Sequence, residues 1–588
     1  METKIDKIRH SLSHIMAYAV KNIYGSVKFG IGPTIENGFY YDFGLKNSLI
    51  PEDLPKIEKI MRELIKQNIE FKKSLKTKAE ARKLFVGQLY KLELIKDLSA
   101  KGGSASGGKV TIYKSGDFTD LCAGPHVKST REINPEAFKL TKIAGAYWKG
   151  SEKNPMLQRI YAVAFETKNE LDNYLKQIEE AEKRDHRKLG KDLELFSIDD
   201  YVGPGLVLWH PKLSIVREQI ELYWRKQHRK KGYQYVYTPH IGLSSLWQTS
   251  GHLQTFKEGM YPPMEMSLKN KDENVAYYVK PMNCPFHIRI YKSRPRSYKE
   301  LPLRWCELGN VYRYEESGVL HGMLRVRGFT QDDAHIICTE DQFISEVNGI
   351  LDFALEINKV FGFNKLNVYL STRDLKNKKT KYIGSDKIWN LAEKTLENIL
   401  KKRNLEHKKD IGGAKFYGPA IDLKAVDSMG REWQGTTIQL DMNLPKRLGM
   451  TYVGPDGKEH EPIMLHRTLL GSMERFVGTL IEHYAGAFPF WLAPVQIKIL
   501  PVSQNHKIFA QKIKKEFDEH DFRVEVDETD NTVGKKIREA ELEKIPYIIV
   551  MGDKEANSDQ LAVRIRGQKE IENISIDKFI ERIKKELK

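Results

Sequence analysis

The chain has 588 residues, of which 40% are hydrophobic and 30% charged, a balance typical of a folded globular protein and not of a disordered one. Lysine and arginine exceed aspartate and glutamate by 17 charges, which suits a polyanionic partner, although lysine-rich solvated faces would produce the same excess. No stretch has the uninterrupted apolar length of a membrane span, and the polar start METKIDKIRHSLSH is unlike a signal peptide. Because the four cysteines are widely spaced and form no disulfide framework, we expect a cytoplasmic protein with no membrane partner.

The first predicted domain covers residues 1–166 and mixes a helix with short strands. A helix is predicted from Ile5 to Asn22, a strand in VTIYKSG, and a flexible loop in the run GGSASGG, Gly102 to Gly108. Residues 167–200 have helical periodicity and dense charge, with Gly190 as a break, which indicates a helical linker with a solvated face. We therefore predict an N-terminal α+β domain followed by a linker.

The largest predicted domain covers residues 201–493. It opens with the long helix SIVREQIELYWRKQHRKKGY, in which Ile215, Ile220 and Tyr223 recur at helical spacing, and continues into a strand, YQYVYTP, that ends at Pro239. Short strands follow in YYVKPMNC, RWCELGNVYRYE and RVRGFTQDDAHIIC, and their close succession favours an antiparallel sheet. In residues 494–588 strands alternate with helices, which predicts a small α/β domain with a mainly parallel sheet.

Arginines are dense in the segment NVYRYEESGVLHGMLRVRGFTQDDAH, which is predicted to form a strand, a loop and a second strand. Arg313, Arg325 and Arg327 offer planar guanidinium groups that suit phosphates and carboxylates. Glu315, predicted on the same strand face as Arg313, has an oxygen that can accept from an adenine amino group. Alternating arginine and glutamate also occur on exposed strands that bind no ligand. The helix start LGSMERF, which places Arg475 beside an apolar face, weakens this structural interpretation.

Two histidine and cysteine pairs occur in the first domain. His10 and His14 lie four residues apart on the predicted helix, so both rings face one side. Cys122 and His126 flank a predicted tight turn in DLCAGPH. HSLSH lacks the glutamate of the zinc-protease motif. The two pairs together suit either metal binding or the orientation of a water molecule.

A second possible metal set is formed by Cys284, His335 and His466, each within a motif-bearing segment. One cysteine and two histidines make a three-ligand zinc site whose fourth position stays open for a substrate. Lone histidines are more often structural, so the residues alone leave both interpretations open.

Three segments resemble the signature motifs of class II aminoacyl-tRNA synthetases. The long helix with Pro239 is similar to motif one, which builds the dimer interface, NVYRYE through RVRGFTQDDAH resembles motif two, and LGSMERF resembles motif three. PMNCP, RVRGFTQDDAH, FYGP, WQGTTIQLD and LHRTLLGSMERF occur in the order found in the threonyl-tRNA synthetase family, and the resemblance covers nearly the whole chain.

This resemblance implies a multidomain α+β and α/β fold: a class II antiparallel-sheet catalytic core, an N-terminal editing domain and a C-terminal α/β anticodon-binding domain. It also implies a homodimer that uses ATP and Mg²⁺ to convert L-threonine to threonyl-adenylate and transfers threonine to tRNA(Thr). Serine lacks only one methyl group of threonine and is poorly rejected by binding, so hydrolysis of mischarged Ser-tRNA(Thr) is expected as a second activity.

Residue roles are implied by position in the same motifs. Arg313 would hold the α-phosphate of ATP and Arg325 the γ-phosphate, while Phe329 and Arg475 sandwich the adenine and Glu315 reads its edge. One Zn²⁺ per subunit on Cys284, His335 and His466 would take the amino and hydroxyl groups of threonine; valine, which lacks the hydroxyl, cannot complete the coordination. The other implied residues are Gln331 and Asp333 at the polar groups of the substrate, Met282, Tyr417, Gln434, Gln439 and Ser472 along the pocket, His252 in transfer to the terminal ribose, and Glu555 and Arg564 at the anticodon.

The N-terminal domain resembles the editing module shared by threonyl- and alanyl-tRNA synthetases, whose HxxxH and CxxxH motifs match His10, His14, Cys122 and His126. Whether this site binds metal or a positioned water stays open. Because HxxxH begins almost at Met1, we expect the further small domain that commonly precedes it to be absent.

One residue departs from the family pattern, which usually reads FYGPK, because Ala420 stands in place of the lysine. Slower activation and a substitute such as Lys424 are both open. Two other functions compete with a ligase: a catalytically inactive relative that binds RNA as a regulator, and a free-standing deacylase of mischarged tRNA. The intact arginines and the complete metal set argue against the first, and the large catalytic block argues against the second.

Overall fold

The computed structural model describes residues 3–100, 109–267, 274–376, 382–441 and 443–587. The glycine and serine run at 102–108, predicted as a loop, lies outside them. The chain divides into two compact units, Met1–Glu180 and Ala181–Lys588. Within the described ranges no helix combines the length and the apolar character needed to cross a membrane.

The first unit packs helices against two antiparallel sheets. One sheet has the strand order β1-β3-β8-β7 with β2 beside β3, and the other has the order β4-β5-β6. The helices are α1 (Lys4–Tyr24), α2 (Leu54–Lys66), α3 (Lys78–Leu84), α4 (Leu89–Ala100) and α5 (Lys168–Arg184), which runs past the boundary at Glu180. The strands are β1 (Lys28–Phe29), β2 (Thr34–Ile35), β3 (Gly38–Gly44), β4 (Phe71–Thr77), β5 (Lys109–Ser115), β6 (Phe118–Leu121), β7 (Phe138–Tyr147) and β8 (Met156–Ala164).

Helix α1 confirms the predicted N-terminal helix and explains its start. The hydroxyl of Thr3 accepts from the backbone N–H of Asp6, and the carboxylate of Asp6 accepts from the backbone N–H of Thr3, which completes a capping box. One face of α1 is buried in the core of the unit, including Leu12, Ile15 and Met16. The capping box therefore stabilises the N-terminus of α1, and burial of its apolar face stabilises the rest of the helix.

The second unit contains the remaining elements. Its helices are α6 (His186–Asp192), α7 (Pro211–Lys230), α8 (Ser244–Thr249), α9 (His252–Thr255), α10 (Cys284–Tyr291), α11 (Phe343–Val360), α12 (Asp386–Lys402), α13 (Leu444–Arg447), α14 (Met473–Tyr484), α15 (Lys507–Asp518), α16 (Val533–Leu542), α17 (Asp553–Ala556) and α18 (Ile576–Lys584). Its strands are β9 (Phe196–Ser197), β10 (Leu208–Trp209), β11 (Gln234–Tyr235), β12 (Ile241–Leu243), β13 (Met264–Ser267), β14 (Asn274–Val279), β15 (Leu303–Tyr312), β16 (Gly328–Cys338), β17 (Leu366–Thr372), β18 (His407–Ile411), β19 (Ala420–Val426), β20 (Glu432–Asp441), β21 (Tyr452–Val453), β22 (Glu459–His460), β23 (Ile463–Thr468), β24 (Ile497–Pro501), β25 (Val524–Val526), β26 (Tyr547–Met551), β27 (Gln560–Ile565) and β28 (Ile571–Ser575).

An eight-stranded sheet forms the centre of this unit, with the order β11-β15-β16-β23-β20-β19-β17-β18. Its inner pairings are antiparallel, as predicted, and only the outermost strands β11 and β18 pair in parallel. Helix α7 packs on the sheet through Leu213, Val216, Ile220 and Trp224. Of the predicted stripe, Ile220 is fully buried on this face and Tyr223 is partly buried against the same core.

The C-terminal sheet differs from the mainly parallel prediction. Its order is β25-β24-β26-β27-β28, and β24 pairs in parallel with both of its neighbours, whereas β26, β27 and β28 pair antiparallel. The segment between β26 and β27 is too short for a crossover, so β27 must return beside β26 in the opposite direction. The α/β character is confirmed, and the sheet is mixed.

The break in the predicted linker lies at Asp185 and not at Gly190. Helix α5 ends at Arg184, and the Asp185 carboxylate caps α6 by accepting from the backbone N–H of Arg187 at 2.8 Å. Gly190 lies inside α6, where a Cβ would meet the ring of Phe196 at 2.3 Å. The glycine therefore allows close packing and does not interrupt the helix.

A buried carboxylate, Asp332 on β16, ties several elements of this unit together. It accepts from the indole Nε1–H of Trp224 at 2.8 Å and from Nη1 of Arg467 at 3.0 Å. Its second oxygen accepts from the backbone N–H groups of Leu469 and Leu470, both at 2.7 Å. Asp332 is 1% exposed, so helix α7, strand β23 and the turn before α14 all depend on one desolvated charge.

We expect Asp332→Asn to destabilise the second unit by about 3–5 kcal/mol, because the substitution leaves the Arg467 guanidinium buried without its counter-charge. Urea unfolding of the full chain, followed by tryptophan fluorescence, measures the loss. Asp352→Asn is the matched control, since that carboxylate pairs with Arg403 at the surface and its loss costs about 1 kcal/mol or less. Equal effects of the two substitutions would contradict the assignment.

Candidate functional site

A cavity of about 410 Å³ opens on the face of the eight-stranded sheet next to the start of α14. It gathers most of the predicted synthesis-site residues, which come from separate strands, loops and helices. The predicted residues that line it are Met282, Cys284, Arg313, Glu315, Arg325, Phe329, Gln331, Asp333, Tyr417, Gln434, Gln439, His466, Ser472 and Arg475. His252 and His335 lie behind this wall, in contact with Met282 and His466.

The guanidinium groups of Arg313, Arg325 and Arg475 converge on the cavity. The first two come from the connection between β15 and β16, and the third from helix α14. Arg313 follows β15 and lies over the ring of Phe329 at 5.1 Å, whereas Arg475 is on the first turn of α14 and donates from Nε to the Leu324 carbonyl at 3.0 Å. Burial lowers the pKa values of both arginines. A bound anion would offset this unfavourable desolvation, so the cavity favours a negatively charged ligand.

One detail of the predicted arginine motif is wrong. Strand β15 ends at Tyr312, so Glu315 and Arg313 do not share a strand face; both enter the cavity from the loop that follows. Glu315 accepts from Nη2 of Arg325 at 2.8 Å. Arg327 does not line the cavity within the described residues, and its Nε instead donates to the Glu315 carbonyl at 2.8 Å, which holds the loop in shape.

The predicted metal set is brought together at the floor of the cavity. His335 on β16 and His466 on β23 are directly opposite each other in the sheet register, and Cys284 is the first residue of α10. The three potential ligand atoms lie within 4.8 Å of one another. Nε2 of His335 is 2.9 Å from Nδ1 of His466, and all three side chains are buried.

The outer nitrogens of both histidines are also engaged. Nε2 of His466 contacts Oδ2 of Asp441 at 2.7 Å, and Nδ1 of His335 contacts Nδ1 of His287 at 2.8 Å. His287 in turn contacts Oε2 of Glu307 at 3.1 Å. Such partners orient metal-binding histidines and set their tautomers, so the arrangement fits a zinc-binding donor set. His287, Glu307 and Asp441 were missed by the sequence reasoning, because nothing in their local pattern marks a supporting role.

His252 is buried at the start of α9. The Ser250 hydroxyl donates to the Leu246 carbonyl at 2.8 Å and therefore accepts from Nδ1–H of His252, also at 2.8 Å. The free lone pair is then on Nε2, which is 3.2 Å from Sδ of Met282 at the cavity wall. Burial lowers the pKa of His252 to about 4, so the ring is a neutral base near pH 7.

Ala420 begins β19 opposite Gln439, a cavity residue, and its side chain is buried. Lys424, considered as a substitute for the family lysine, does not line the cavity within the described residues; its ammonium lies over the ring of Tyr369 at 4.0 Å. Lys415, which the sequence reasoning missed, does line the cavity. Among the described residues, the lysine that lines the cavity is therefore in the loop before β19.

The N-terminal pairs converge in the first unit. Sγ of Cys122 lies 3.1 Å from Nε2 of His10 and 3.4 Å from Nε2 of His126, and the rings of His14 and His126 have centroids 4.3 Å apart. Burial lowers the pKa values of His14 and His126, so both imidazoles are neutral near pH 7. Ligand atoms of the four side chains lie within 4.8 Å of one another, which suits a metal or a positioned water.

A buried charge cluster beneath this site was missed by the sequence reasoning. Asp120, two residues before Cys122, lies 2.5 Å from Nζ of Lys91 and 3.8 Å from Nε2 of His14. The hydroxyl of Tyr41 donates to the same carboxylate at 2.6 Å. Asp120 stands in the motif-bearing segment, but Lys91 and Tyr41 come from distant positions that only the fold brings near.

The two predicted anticodon residues lie in the C-terminal part of the second unit. Glu555 is on α17 and accepts from the backbone N–H of Gly552 at 2.9 Å, whereas Arg564 is on β27 opposite Ile571. Among the described residues no hydrogen bond or ion pair joins the two side chains. They are therefore separate positions on one small domain.

Three family profiles match this chain. Residues 266–484 match the "tRNA synthetase class II core domain (G, H, P, S and T)", residues 496–586 the "Anticodon binding domain", and residues 110–161 the "Threonyl and Alanyl tRNA synthetase second additional domain". Together with the antiparallel sheet and its arginine-lined cavity, these matches define a class II aminoacyl-tRNA synthetase.

Comparison with individual proteins identifies the family within this class. The threonine--tRNA ligase of Sulfurihydrogenibium sp. (strain YO3AOP1) is 52% identical over 99% of this chain and 88% of its own length, and that of Aquifex aeolicus (strain VF5) is 49% identical over 99% and 89%. A crystal structure of the RNA binding domain of threonyl-tRNA synthetase from Cryptosporidium parvum Iowa II has 35% identity and a TM-score of 0.63, covering 68% of this chain and 98% of that one. The chain belongs to the threonine--tRNA ligase family.

Glu474 in motif three supplies a test of the electrostatics of this site. Burial raises its pKa to about 7, although its carboxylate accepts from the backbone N–H of Thr330 at 2.9 Å. The folded chain then keeps a proton that the unfolded chain releases near pH 4.5. The resulting stability is full below about pH 4.5 and is lost by about pH 7, a change of about 3 kcal/mol.

We therefore expect Glu474→Gln to flatten the fall in unfolding free energy between pH 5 and pH 7.5, measured by urea denaturation in buffers of equal ionic strength. Glu356→Gln is the control, because that carboxylate is 57% exposed and pairs with Lys231 at the surface. An unchanged pH slope in Glu474→Gln would show that the buried carboxyl does not titrate in this range.

Proposed function

We propose that this chain activates threonine with ATP in the cavity, with Arg313 on the α-phosphate, Arg325 on the γ-phosphate, and Phe329 and Arg475 on either side of the adenine. The observation that carries the proposal is the convergence of three guanidinium groups and the cysteine–histidine set on one cavity. The threonine carboxylate attacks the α-phosphorus, its oxygen–phosphorus bond forms, and the bond to pyrophosphate breaks. Fixed positive charge stabilises the negative charge that develops, and Mg²⁺ accompanies ATP as in the family at large.

Cys284, His335 and His466 would hold one Zn²⁺ per subunit. Their donor atoms, their burial and the partners of their outer nitrogens support the assignment. When bound, the ion would coordinate the amino and hydroxyl groups of threonine; valine lacks the hydroxyl group and cannot complete this coordination. The chain's own residues complete the pocket: Asp333 and Gln331 contact polar groups of the substrate, and Met282, Tyr417, Gln434, Gln439 and Ser472 line the remaining wall.

We expect Cys284→Ala to lose bound zinc and threonine-dependent ATP–pyrophosphate exchange, because one of three ligands is removed. Elemental analysis gives zinc per subunit, and exchange is measured with threonine, serine and valine. Cys306→Ala is the control, since that thiol is buried in the core on β15 and should leave zinc content unchanged. Full zinc in Cys284→Ala would contradict the ligand set, and exchange with valine in the parent chain would contradict its role in selection.

The same exchange assay separates the alternatives. An RNA-binding relative without catalysis, or a deacylase alone, would give no exchange with threonine. The intact cavity arginines favour the ligase over both.

His252 would assist transfer of threonine to the terminal ribose of the tRNA. Its neutral ring, with the proton on Nδ1 and the lone pair on Nε2 at the cavity wall, suits a base that accepts a hydroxyl proton. Ser250 would set this tautomer, so the base is prepared before the tRNA end arrives.

The first unit would hydrolyse mischarged Ser-tRNA(Thr) with His10, His14, Cys122 and His126. The neutral imidazoles of His14 and His126 lie close to His10 and to the thiol of Cys122, and Asp120 with Lys91 beneath them supplies fixed charge that can orient a water. The match to the second additional domain shared by threonyl and alanyl enzymes supports this assignment.

We expect the double change His10→Ala and His14→Ala to leave threonine activation intact while Ser-tRNA(Thr) accumulates. Deacylation of preformed Ser-tRNA(Thr) by the full chain measures this directly. Glu70→Gln, an exposed change in the same unit, should clear serine at the parent rate. Clearance at that rate by the double variant would show that the four residues are not the editing site.

The domain limits 1–166, 167–200, 201–493 and 494–588 are likewise proposals, supported by profile matches that fall inside the first, third and fourth ranges. Glu555 and Arg564 would contact anticodon bases. We place the protein in the cytoplasm as a homodimer. Exposed apolar side chains near motif one, Leu222 at 55% and Tyr237 at 74%, support a face that packs on a second copy.

A further inference from the structure

His186 is a fully buried histidine that none of the functions above uses. It is the first residue of α6, outside the range 266–484 that matches the class II core profile. Its side chain is 0% exposed, and its ring stacks on that of Phe196 with centroids 6.0 Å apart. Both of its ring nitrogens are engaged, on opposite sides of the ring.

These two contacts specify one tautomer. The backbone N–H of Met323 donates to Nε2 at 3.0 Å, so a neutral ring carries its proton on Nδ1. Nδ1 then donates to Oε1 of Glu482 at 2.7 Å, and the backbone N–H of His186 donates to the same oxygen at 3.1 Å. His186 therefore joins the loop between β15 and β16 to helix α14.

The loop segment held by His186 carries two cavity groups. The carbonyl of Leu324, one residue beyond Met323, accepts from Nε of Arg475 at 3.0 Å, and Arg325 follows directly. The approach is close, because a Cβ on Gly322 would lie 2.0 Å from Nε2 of His186. A displacement of this segment would therefore move the support of Arg475 and the backbone that carries Arg325.

The other end of the connection is also fixed. Glu482 lies on α14, the helix that begins just before Arg475, and Nη2 of Arg431 contacts its second oxygen at 2.5 Å. Asp185, Glu482 and His186 are close enough together to hold a cation, but Arg187 pairs with Asp185 and Arg431 pairs with Glu482. With both ring nitrogens engaged as well, the cluster is a hydrogen-bond network and not a metal site.

We propose that His186 is a positioning residue for ATP: by joining the backbone at Met323 to Glu482, it sets the positions of Arg325 and Arg475 in the cavity. The inference rests on the proposed nucleotide role of those two arginines. Its physical basis is that a fully buried ring with one donor and one acceptor can satisfy both partners in one orientation only.

Amide side chains test each bond separately. Glutamine can bring its amide oxygen to the position of Nε2 and keep the bond from Met323, whereas asparagine reaches the position of Nδ1 and keeps only the bond to Glu482. In ATP–pyrophosphate exchange by the full chain we expect His186→Asn to raise the KM for ATP about tenfold and His186→Gln to raise it less. The KM for threonine and the zinc content should stay at parent values.

His321→Asn is the matched control, because its ring lies 5.6 Å from that of His186 but is exposed, and it should leave both KM values unchanged. A fall in kcat with an unchanged KM for ATP in both His186 variants would overturn the proposal, since it indicates fewer folded molecules. Equal KM effects of glutamine and asparagine would overturn it too.

Arg475→Ala separates this inference from the proposed function. If Arg475→Ala leaves the KM for ATP unchanged, the nucleotide assignment itself fails. If Arg475→Ala raises that KM and the His186 variants do not, only the positioning role of His186 fails.

Discussion

The carboxylate of Asp332 is the constraint on which the catalytic unit depends. It is desolvated and accepts four hydrogen bonds, from an indole, a guanidinium and two backbone N–H groups. These donors belong to α7, to β23 and to the turn before α14, which are far apart in the chain. A buried charge tolerates only an arrangement in which every partner is present, so one residue fixes the mutual positions of the three class motifs.

Strand alternation explains why the same segment builds both the scaffold and the site. Along β16 the side chains of Gln331 and Asp333 line the cavity and His335 joins the metal set, whereas Asp332 between them faces the packed helices. On the neighbouring strand β23, His466 lies opposite His335, and the guanidinium of Arg467 contacts Asp332. Along β16 the charge that holds the fold therefore alternates with the candidate site residues.

Both candidate sites use buried ionisable groups whose partners come from elsewhere in the fold. In the cavity, the buried guanidinium groups of Arg313 and Arg475 favour an anionic ligand. His466 is oriented by Asp441, and His335 by the pair of His287 and Glu307. In the first unit, Asp120 and Lys91 lie beneath neutral imidazoles. Rigid side chains prepared before the substrate arrives reduce the reorganisation that each chemical step needs.

The sequence by itself determined the family and the antiparallel core. It also predicted 14 of the 25 residues that line the cavity, because those 14 belong to long motifs whose spacing can be read without a structure. It also gave α1 with its histidine pair. It misplaced the linker break, the strand face of Glu315 and the mainly parallel C-terminal sheet, since a local pattern does not show where a cap forms or how a short connection turns. Only the tertiary structure decided which supporting groups reach each site. His186, Lys91 and Glu307 lie far in the chain from the groups they hold, and their hydrogen bonds exist only when the chain is folded.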